Sequence, residues 1–275
     1  MMHGSKRAMS QIISTVIIAG SLLIIAAIAS WLSASMFEIQ SQQAELERAE
    51  DAFNALATII EECAAKPGSS AYVRFNPRTG GVEVLRDYAS ITITVGNYST
   101  SYSISTDTDI LAYRGGAFST IPGLVIIRGD ETVQRLESSW RNESLIVDVD
   151  DSDVPIAWVY EEHSGGAYVY LDCIRVKIND LGEITVNDTR YRVVEVLFIR
   201  LTYGEARGGE VVDVKVSGLN KTVNQYVFQG PSSVSIQVQV DLDDEIFQDS
   251  AEISLSGYGG CIVYLVVSTV RVDLL

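Results

Sequence analysis

From Ile12 to Leu32 the chain places 21 residues in a row without a charged side chain. At a rise of 1.5 Å per residue, about 20 residues cross a hydrocarbon layer of roughly 30 Å, so the run predicts a membrane-spanning helix. The apolar part of a cleavable secretory signal is usually only about 7–15 residues. Ser33, Ala34 and Ser35 offer small residues for such a cut, which keeps simple secretion as an alternative. The pattern then changes without breaking. From Met36 to Ala65 there is neither Pro nor Gly, and Ile39, Leu46, Ala49, Phe53, Leu56, Ile60 and Cys63 recur at intervals of 7, 3, 4, 3, 4 and 3. This is an a/d packing seam in which only Gln42 is polar. Glu38, Glu45, Glu47, Arg48, Glu50, Asp51, Glu61 and Glu62 lie off it. Lys66-Pro67-Gly68 ends the pattern, because Pro lacks the donor N–H and Gly relaxes the chain. The prediction is one long helix over 9–66, with a membrane span over about 12–32 and an amphipathic half over about 36–65. The second half needs an apolar surface, from the body of the same chain or from neighbouring copies.

Beyond Pro67 the period becomes two. Val82–Arg86, Ser90–Val95, Glu210–Val216 and Ser233–Asp243 alternate, whereas Gly123–Arg128, Arg192–Tyr203 and Cys261–Val272 are continuously apolar. These read as strands, half-buried where they alternate and buried on both sides where they do not. Gly80-Gly81, Gly115-Gly116, Gly165-Gly166, Gly208-Gly209 and Gly259-Gly260 mark turns between them. No convincing amphipathic helix follows residue 66. The expected fold is therefore α+β: a long N-terminal helix, transmembrane then amphipathic, followed by an all-β, sandwich-like body over 67–275. The acidic stretch Asp148–Pro155 is the candidate junction if that body divides into two subdomains near 150.

Charge orients the helix. Lys6 and Arg7 precede the apolar run, and no Lys or Arg follows it until Arg48. The positive-inside tendency puts the N-terminus in the cytoplasm and the body outside. All 36 Asp and Glu lie at or after Glu38, so the chain beyond the run carries a formal −18. That acidity opposes non-specific binding to nucleic acid and anionic lipid headgroups. Ser10, Ser14, Thr15, Ala19, Gly20, Ser21, Ala26, Ala27, Ala29 and Ser30 make the run rich in small residues, which let helices approach closely in an apolar medium.

Chemistry is sparse. With only His3 and His163 present, Ser–His or Cys–His catalysis and histidine metal clusters have little to build on. His163 beside Glu161 and Glu162, in an expected turn, is a weak metal candidate. Asp148–Asp153 and Asp241–Glu245 have calcium-loop composition without the EF-hand Gly and Glu, and a solvated acidic loop is the favoured reading. No phosphate-binding glycine motif occurs. No cofactor, metal or enzymatic activity is expected. An extracellular body allows one disulfide with one cysteine left over. Cys173 with Cys261 is the favoured pair because both lie in strand-like segments; three buried free thiols, Cys63 included, are the alternative. Asn97, Asn142, Asn187 and Asn220 each open an N-glycosylation sequon, half of the eight asparagines, all in the body.

The junction KRA followed by MSQIISTVI resembles the class III signal peptide of archaeal type IV pilins and archaellins. That resemblance implies cleavage by a prepilin peptidase between Ala8 and Met9, with the basic Lys6 and Arg7 in the discarded leader over 1–8 and the apolar run kept on the mature subunit. It also implies a long N-terminal helix before a β domain. Bacterial relatives carry Glu at the fifth mature position, where this chain has Ile13; archaeal ones commonly lack it. The expectation is a structural subunit, major or minor, of an archaeal type IV pilus-like surface filament with an adhesive role. Its partners would be copies of itself, the peptidase, the membrane, and an assembly platform with its ATPase. A membrane-anchored β-sandwich binding or cell-envelope scaffold protein is the alternative, and an anchored enzyme or solute-binding domain would require a deep pocket with convergent polar groups.

Overall fold

The computed structural model describes residues 4–130, 145–151, 153–163, 165–206, 211–242 and 245–275, with side chains from residue 14 onward. One α-helix, α1, runs unbroken over Gly4–Ala65. At 1.5 Å per residue its 62 residues extend on the order of 90 Å. Among the described residues thirteen strands follow: β1 Ser70–Phe75, β2 Gly81–Gly96, β3 Ser101–Arg114, β4 Val125–Arg128, β5 Ile146–Val147, β6 Trp158–His163, β7 Ala167–Asp172, β8 Val176–Val186, β9 Thr189–Ala206, β10 Val212–Gln229, β11 Ser233–Leu242, β12 Glu245–Ser254 and β13 Gly260–Leu274. Among the described residues the only helix after α1 is one 3₁₀ turn at Val149–Asp151. The fold is α+β, as the change of period at Pro67 predicts.

The strands form two sheets. The first has the order β1-β10-β13-β9-β8-β5 and the second β12-β11-β2-β3-β7-β6-β4. Each of the seven sequence-predicted strands overlaps one of these, with Val82–Arg86 and Ser90–Val95 being two parts of the single strand β2. Both sheets draw strands from either side of residue 150: β1 pairs with β10, and β2 pairs with β11. The acidic stretch, the candidate junction should the body divide near 150, is bridged by this strand pairing, which ties the two halves together. The Gly208-Gly209 turn lies outside the described residues.

Among the described residues the body has two large apolar cores and a small cluster around Trp158 and Tyr160. One gathers α1 with β1, β3, β6, β7, β9, β10 and β13, the other joins β2, β8, β9, β10, β11, β12 and β13. Strand periodicity explains how β9 and β13 serve both. They pair in parallel, with Phe198 opposite Val267 and Ile199 opposite Ser268. Phe198 and Val267 enter the second core, whereas Ile199 enters the first and Ser268 bonds to the helix. Adjacent residues of a strand face opposite sides, so the two cores lie on opposite faces of the first sheet. In β10 the switch coincides with a register shift between Gly218 and Asn220. The second sheet reaches both faces at the free edge of β9: Leu201 N–H donates to Thr108 Oγ1 and Tyr203 N–H to Asp109 Oδ2.

Candidate functional site

The predicted seam docks onto the chain's own body. Leu46, Ala49, Phe53, Leu56, Ile60 and Cys63 are buried in the first core, joined by Ala57 and Ala64. Phe53 meets Phe75 of β1 edge-on, with ring centroids 5.7 Å apart. The seam stops short at its N-terminal end. Ile39 is 45% exposed, because docking begins only at Gln42. Above that point the described residues leave the helix largely uncovered, with only Ser35, Glu38 and Ser41 half-buried. Every described side chain from Ser14 to Ala34 is exposed, including Leu23, Ile24, Trp31 and Leu32, and Phe37 is 77% exposed. The chain thus carries one helix that is long and apolar enough to span a membrane. Lys6, Arg7, Ala8 and Met9 belong to this helix by backbone; their side chains lie outside the described residues.

Polar clamps fix the docked half. Gln42 is buried where docking begins. Its Oε1 accepts from Phe118 N–H at 2.8 Å, its Nε2 donates to Glu38 at 2.8 Å, and its carbonyl accepts from the Ser119 hydroxyl. One turn on, Glu45 reaches the loop before β2. Its carboxylate accepts from the backbone N–H groups of Arg78, Thr79 and Gly80, the Thr79 hydroxyl, and the Tyr113 hydroxyl at 2.7 Å. Burial pushes this carboxyl up, but the hydrogen bonds from Tyr113 and the three backbone donors outweigh it and hold its pKa down at about 2. The same contact with Glu45, added to burial, pushes the Tyr113 phenol upward. Near the far end, Glu61 accepts from Ile156 and Ala157 N–H and from Arg128 Nη2 at 2.6 Å, while Ser268 donates to the Ala64 carbonyl at 2.7 Å. That last bond satisfies one of the carbonyls that a helix end leaves open.

Glycines allow the close approach. A Cβ on Gly116 would meet Gln42 Oε1 at 2.4 Å, and one on Gly218 would meet the Cys63 carbonyl oxygen at 2.3 Å. Gly218 also exchanges backbone bonds with the chain just past the helix, accepting from Gly68 N–H and donating to the Ser69 carbonyl. Between these clamps sits a different contact. Glu50, half-buried, shares a hydrogen bond with the buried Glu161 of β6. Burial first, then Glu161, Glu47 and Asp51, push the Glu50 pKa up to about 8.

The remaining sequence candidates fall elsewhere. Cys63, Cys173 and Cys261 are all free and buried, so the expected Cys173–Cys261 disulfide is not formed. Cys173 lies in the corner between β7 and β8 and enters the first core, whereas Cys261 of β13 enters the second, so the two thiols sit in different cores. Burial pushes the Cys261 thiol up to about 11 and the Cys173 thiol up as well, which keeps both protonated and unreactive. His163 ends β6 opposite Ala167 and is not in the turn itself, while Glu161 beside it points back to Glu50. Among the described residues no three His, Cys, Asp or Glu side chains stand where they would share a metal. Asp243 and Asp244 lie outside those residues, as does Asn142. Asn187 is exposed in the β8–β9 turn with φ 48°, and Asn220 is exposed at the β10 register shift. Asn97 is half-buried, its Oδ1 accepting from Ser99 and Thr100 N–H.

Sequence reasoning missed the clamps. Glu45 and Glu61 sit off the apolar seam and read as solvated charges, although Glu45 directly precedes Leu46 and Glu61 directly follows Ile60. Only Gln42, a polar residue in an otherwise apolar seam, signalled a buried polar contact. No family model, curated protein or solved structure matches the chain.

Proposed function

We propose that this chain is a structural subunit of an archaeal type IV pilus-like surface filament. A prepilin peptidase removes residues 1–8 between Ala8 and Met9. The helix first spans the membrane, with its N-terminus in the cytoplasm and the body outside. A platform protein and its ATPase then draw it out, and the exposed halves of neighbouring helices pack into the filament core while the β bodies form an acidic, glycosylated outer sheath.

The observation that supports this reading is a division of labour within one unbroken helix. From Gln42 onward it is part of the body's own core; from Ser14 to Ala34 it is apolar, rich in small residues and exposed throughout. A plain anchor requires a span but no rigid continuation into the folded core. A subunit that must transmit its orientation from a helical core to an outer domain requires that rigid link. Small residues serve the same end, since they permit close helix–helix contact.

Mass spectrometry of membrane and filament fractions tests the reading. A mature N-terminus at Met9 is expected, and Ala8→Asp should leave an uncut precursor and no filaments. An intact Met1, or a start near Met36, would remove the proposal, the first in favour of a plain anchor and the second in favour of secretion.

A further inference from the structure

The outer face of the second sheet carries an uncharged polar patch that lies outside the helix seat. Alternation along β2 and β11 sends Ile91, Ile93, Val238 and Val240 into the second core and the residues between them outward. Strand register lines up these outward residues in two adjoining rungs. One runs Ser250, Gln237, Thr94, Ser103 and the other Gln248, Gln239, Thr92, Ser105. With neighbouring strands about 4.8 Å apart and alternate residues about 6.8 Å apart, the eight side chains tile an area of roughly 15 by 7 Å.

The patch is held in order by bonds between its own members. Thr94 and Ser103 hydroxyls lie 2.8 Å apart, the Thr92 hydroxyl donates to Ser105 at 3.1 Å, and Gln248 Nε2 donates to Gln239 Oε1 at 3.2 Å. Gln237 is exposed between them and presents an acceptor and two donors on one planar head. Two open depressions of about 300 and 510 Å³ lie on this face. The smaller is also lined by Asp249; the larger is bounded by Tyr98, whose side chain, 92% exposed, stands in the β2–β3 turn, and by Glu252, which accepts from the Ser233 hydroxyl.

The chemistry of the patch selects its ligand. None of the eight side chains is charged, although the chain beyond the apolar run carries −18. A polycation would find its complement elsewhere on this surface, and a polyanion would be repelled by it. The centre of a protein–protein interface is usually anchored by aromatic, Met or Arg side chains, and none stands among the eight. Hydroxyls and amides that both donate and accept match the neighbouring hydroxyls of a sugar. An exposed tyrosine ring matches the apolar C–H face of a sugar ring, with its hydroxyl free to bond. We propose that this face is a binding site for a neutral polysaccharide, in which Gln237 and Gln239 fix sugar hydroxyls and Tyr98 stacks on a ring at the end of the site. The site gives the filament an adhesive surface but does not depend on assembly, since a single anchored copy would bind in the same way.

The test uses the full chain in detergent, made in a bacterial host without N-glycosylation, because Asn97 borders the larger depression and a glycan there would cover it. Co-sedimentation is measured with insoluble cellulose, chitin and mannan. Retention on at least one of the three is expected. Gln237→Ala with Gln239→Ala should lower it about tenfold, as the loss of one to two hydrogen bonds implies. Tyr98→Ala should lower it about threefold, as for loss of a single stacking contact. Both variants should keep the wild-type melting temperature, and Tyr72→Ala, exposed on β1 of the other sheet, should bind as wild type. No retention on any of the three, or equal retention by the double variant, overturns the proposal. So does self-association that the double variant abolishes in the absence of sugar binding, which would assign the face to contacts between copies. Since every measurement is made on solubilised protein, failure to form filaments bears only on the assembly reading.

Discussion

The Tyr113 hydroxyl donates to Glu45 across 2.7 Å, tying the end of β3 to the helix where the helix enters the body. Because Glu45 also collects three backbone donors from the loop before β2, one carboxylate fixes strand, loop and helix together. Its removal should therefore loosen the entry of the helix and not merely erase one bond. Glu45→Gln is expected to destabilise the body by about 1–2 kcal/mol, the discount reflecting partial exposure of the site. The pH dependence has a definite sign. The folded-state pKa of about 2 lies below the ordinary value of 4.5, so the stabilisation is complete above pH 4.5 and is lost as pH falls toward 2. Thermal unfolding between pH 2 and 6 should show a steep acid limb in the wild type and a shallower one in Glu45→Gln.

Glu50 should behave in the opposite way. Its pKa is raised to about 8 in the folded chain, so the folded state holds a proton that the unfolded state releases near pH 4.5. The contribution is complete below pH 4.5 and declines as pH rises to about 8. Above that, two carboxylates, Glu50 on the helix and Glu161 on β6, face each other within the seat. Glu50→Gln keeps the shape and removes the titration. The variant should match the wild type near pH 5 and exceed it in melting temperature at pH 8 and above. Equal loss of stability with pH in both proteins would remove Glu50 as the source.

The boundary at Pro67, the seam residues from Leu46 to Cys63 and the seven strand segments were legible because each is a local periodicity that one burial surface imposes. The pairing of strands was not. Joining β1 to β10, or β9 to β13 in parallel, depends on contacts among residues more than a hundred and about seventy positions apart, and neither leaves a periodic trace. The same limit hid the two-faced first sheet. Arg192–Tyr203 and Cys261–Val272 read as buried on both sides, which is correct, yet the pattern does not say that one side is a helix and the other a second sheet. Of the two cysteine readings, the free thiols hold for a related reason: Cys173 falls in the corner between β7 and β8 and joins the first core, while Cys261 of β13 joins the second, a separation that no local pattern records. The apolar half of the candidate site was legible from Leu46 to Cys63, though not the exposure of Ile39, while its polar clamps depend on loops whose sequence carries no period.

Close approach at Gly218 supplies a steric test of the seat. A Cβ there would sit 2.3 Å from the Cys63 carbonyl oxygen, which belongs to the helix backbone and cannot swing aside. Gly218→Ala should cost about 1–3 kcal/mol, as overpacking of a rigid contact does. Gly81→Ala is the control, since nothing lies within 4 Å of a Cβ at that position. Denaturant unfolding should separate the two variants clearly. If Gly218→Ala unfolds at the wild-type midpoint, the helix end is not held as tightly as its bonds to Ser268 and the Gly68–Ser69 segment imply.

Beside the helix seat, the corner between β7 and β8 buries an ion pair. Arg175 donates to Asp172 with both side chains almost completely shielded, and the guanidinium lies over the Trp158 ring at 3.7 Å from its centroid. Taking both charges out of water is costly, and burial pulls the Arg175 pKa down even as Asp172 supports it. Removing one partner strands the other charge in an apolar setting. Asp172→Leu and Arg175→Met should each destabilise by about 3–5 kcal/mol. Replacing both by residues of similar size, Asp172→Leu with Arg175→Met, should cost less than the sum of the two, since no uncompensated charge remains. A double-mutant cycle read by denaturant midpoints measures the coupling. Additive losses would mean that the stacking on Trp158, and not the ion pair, holds this corner together.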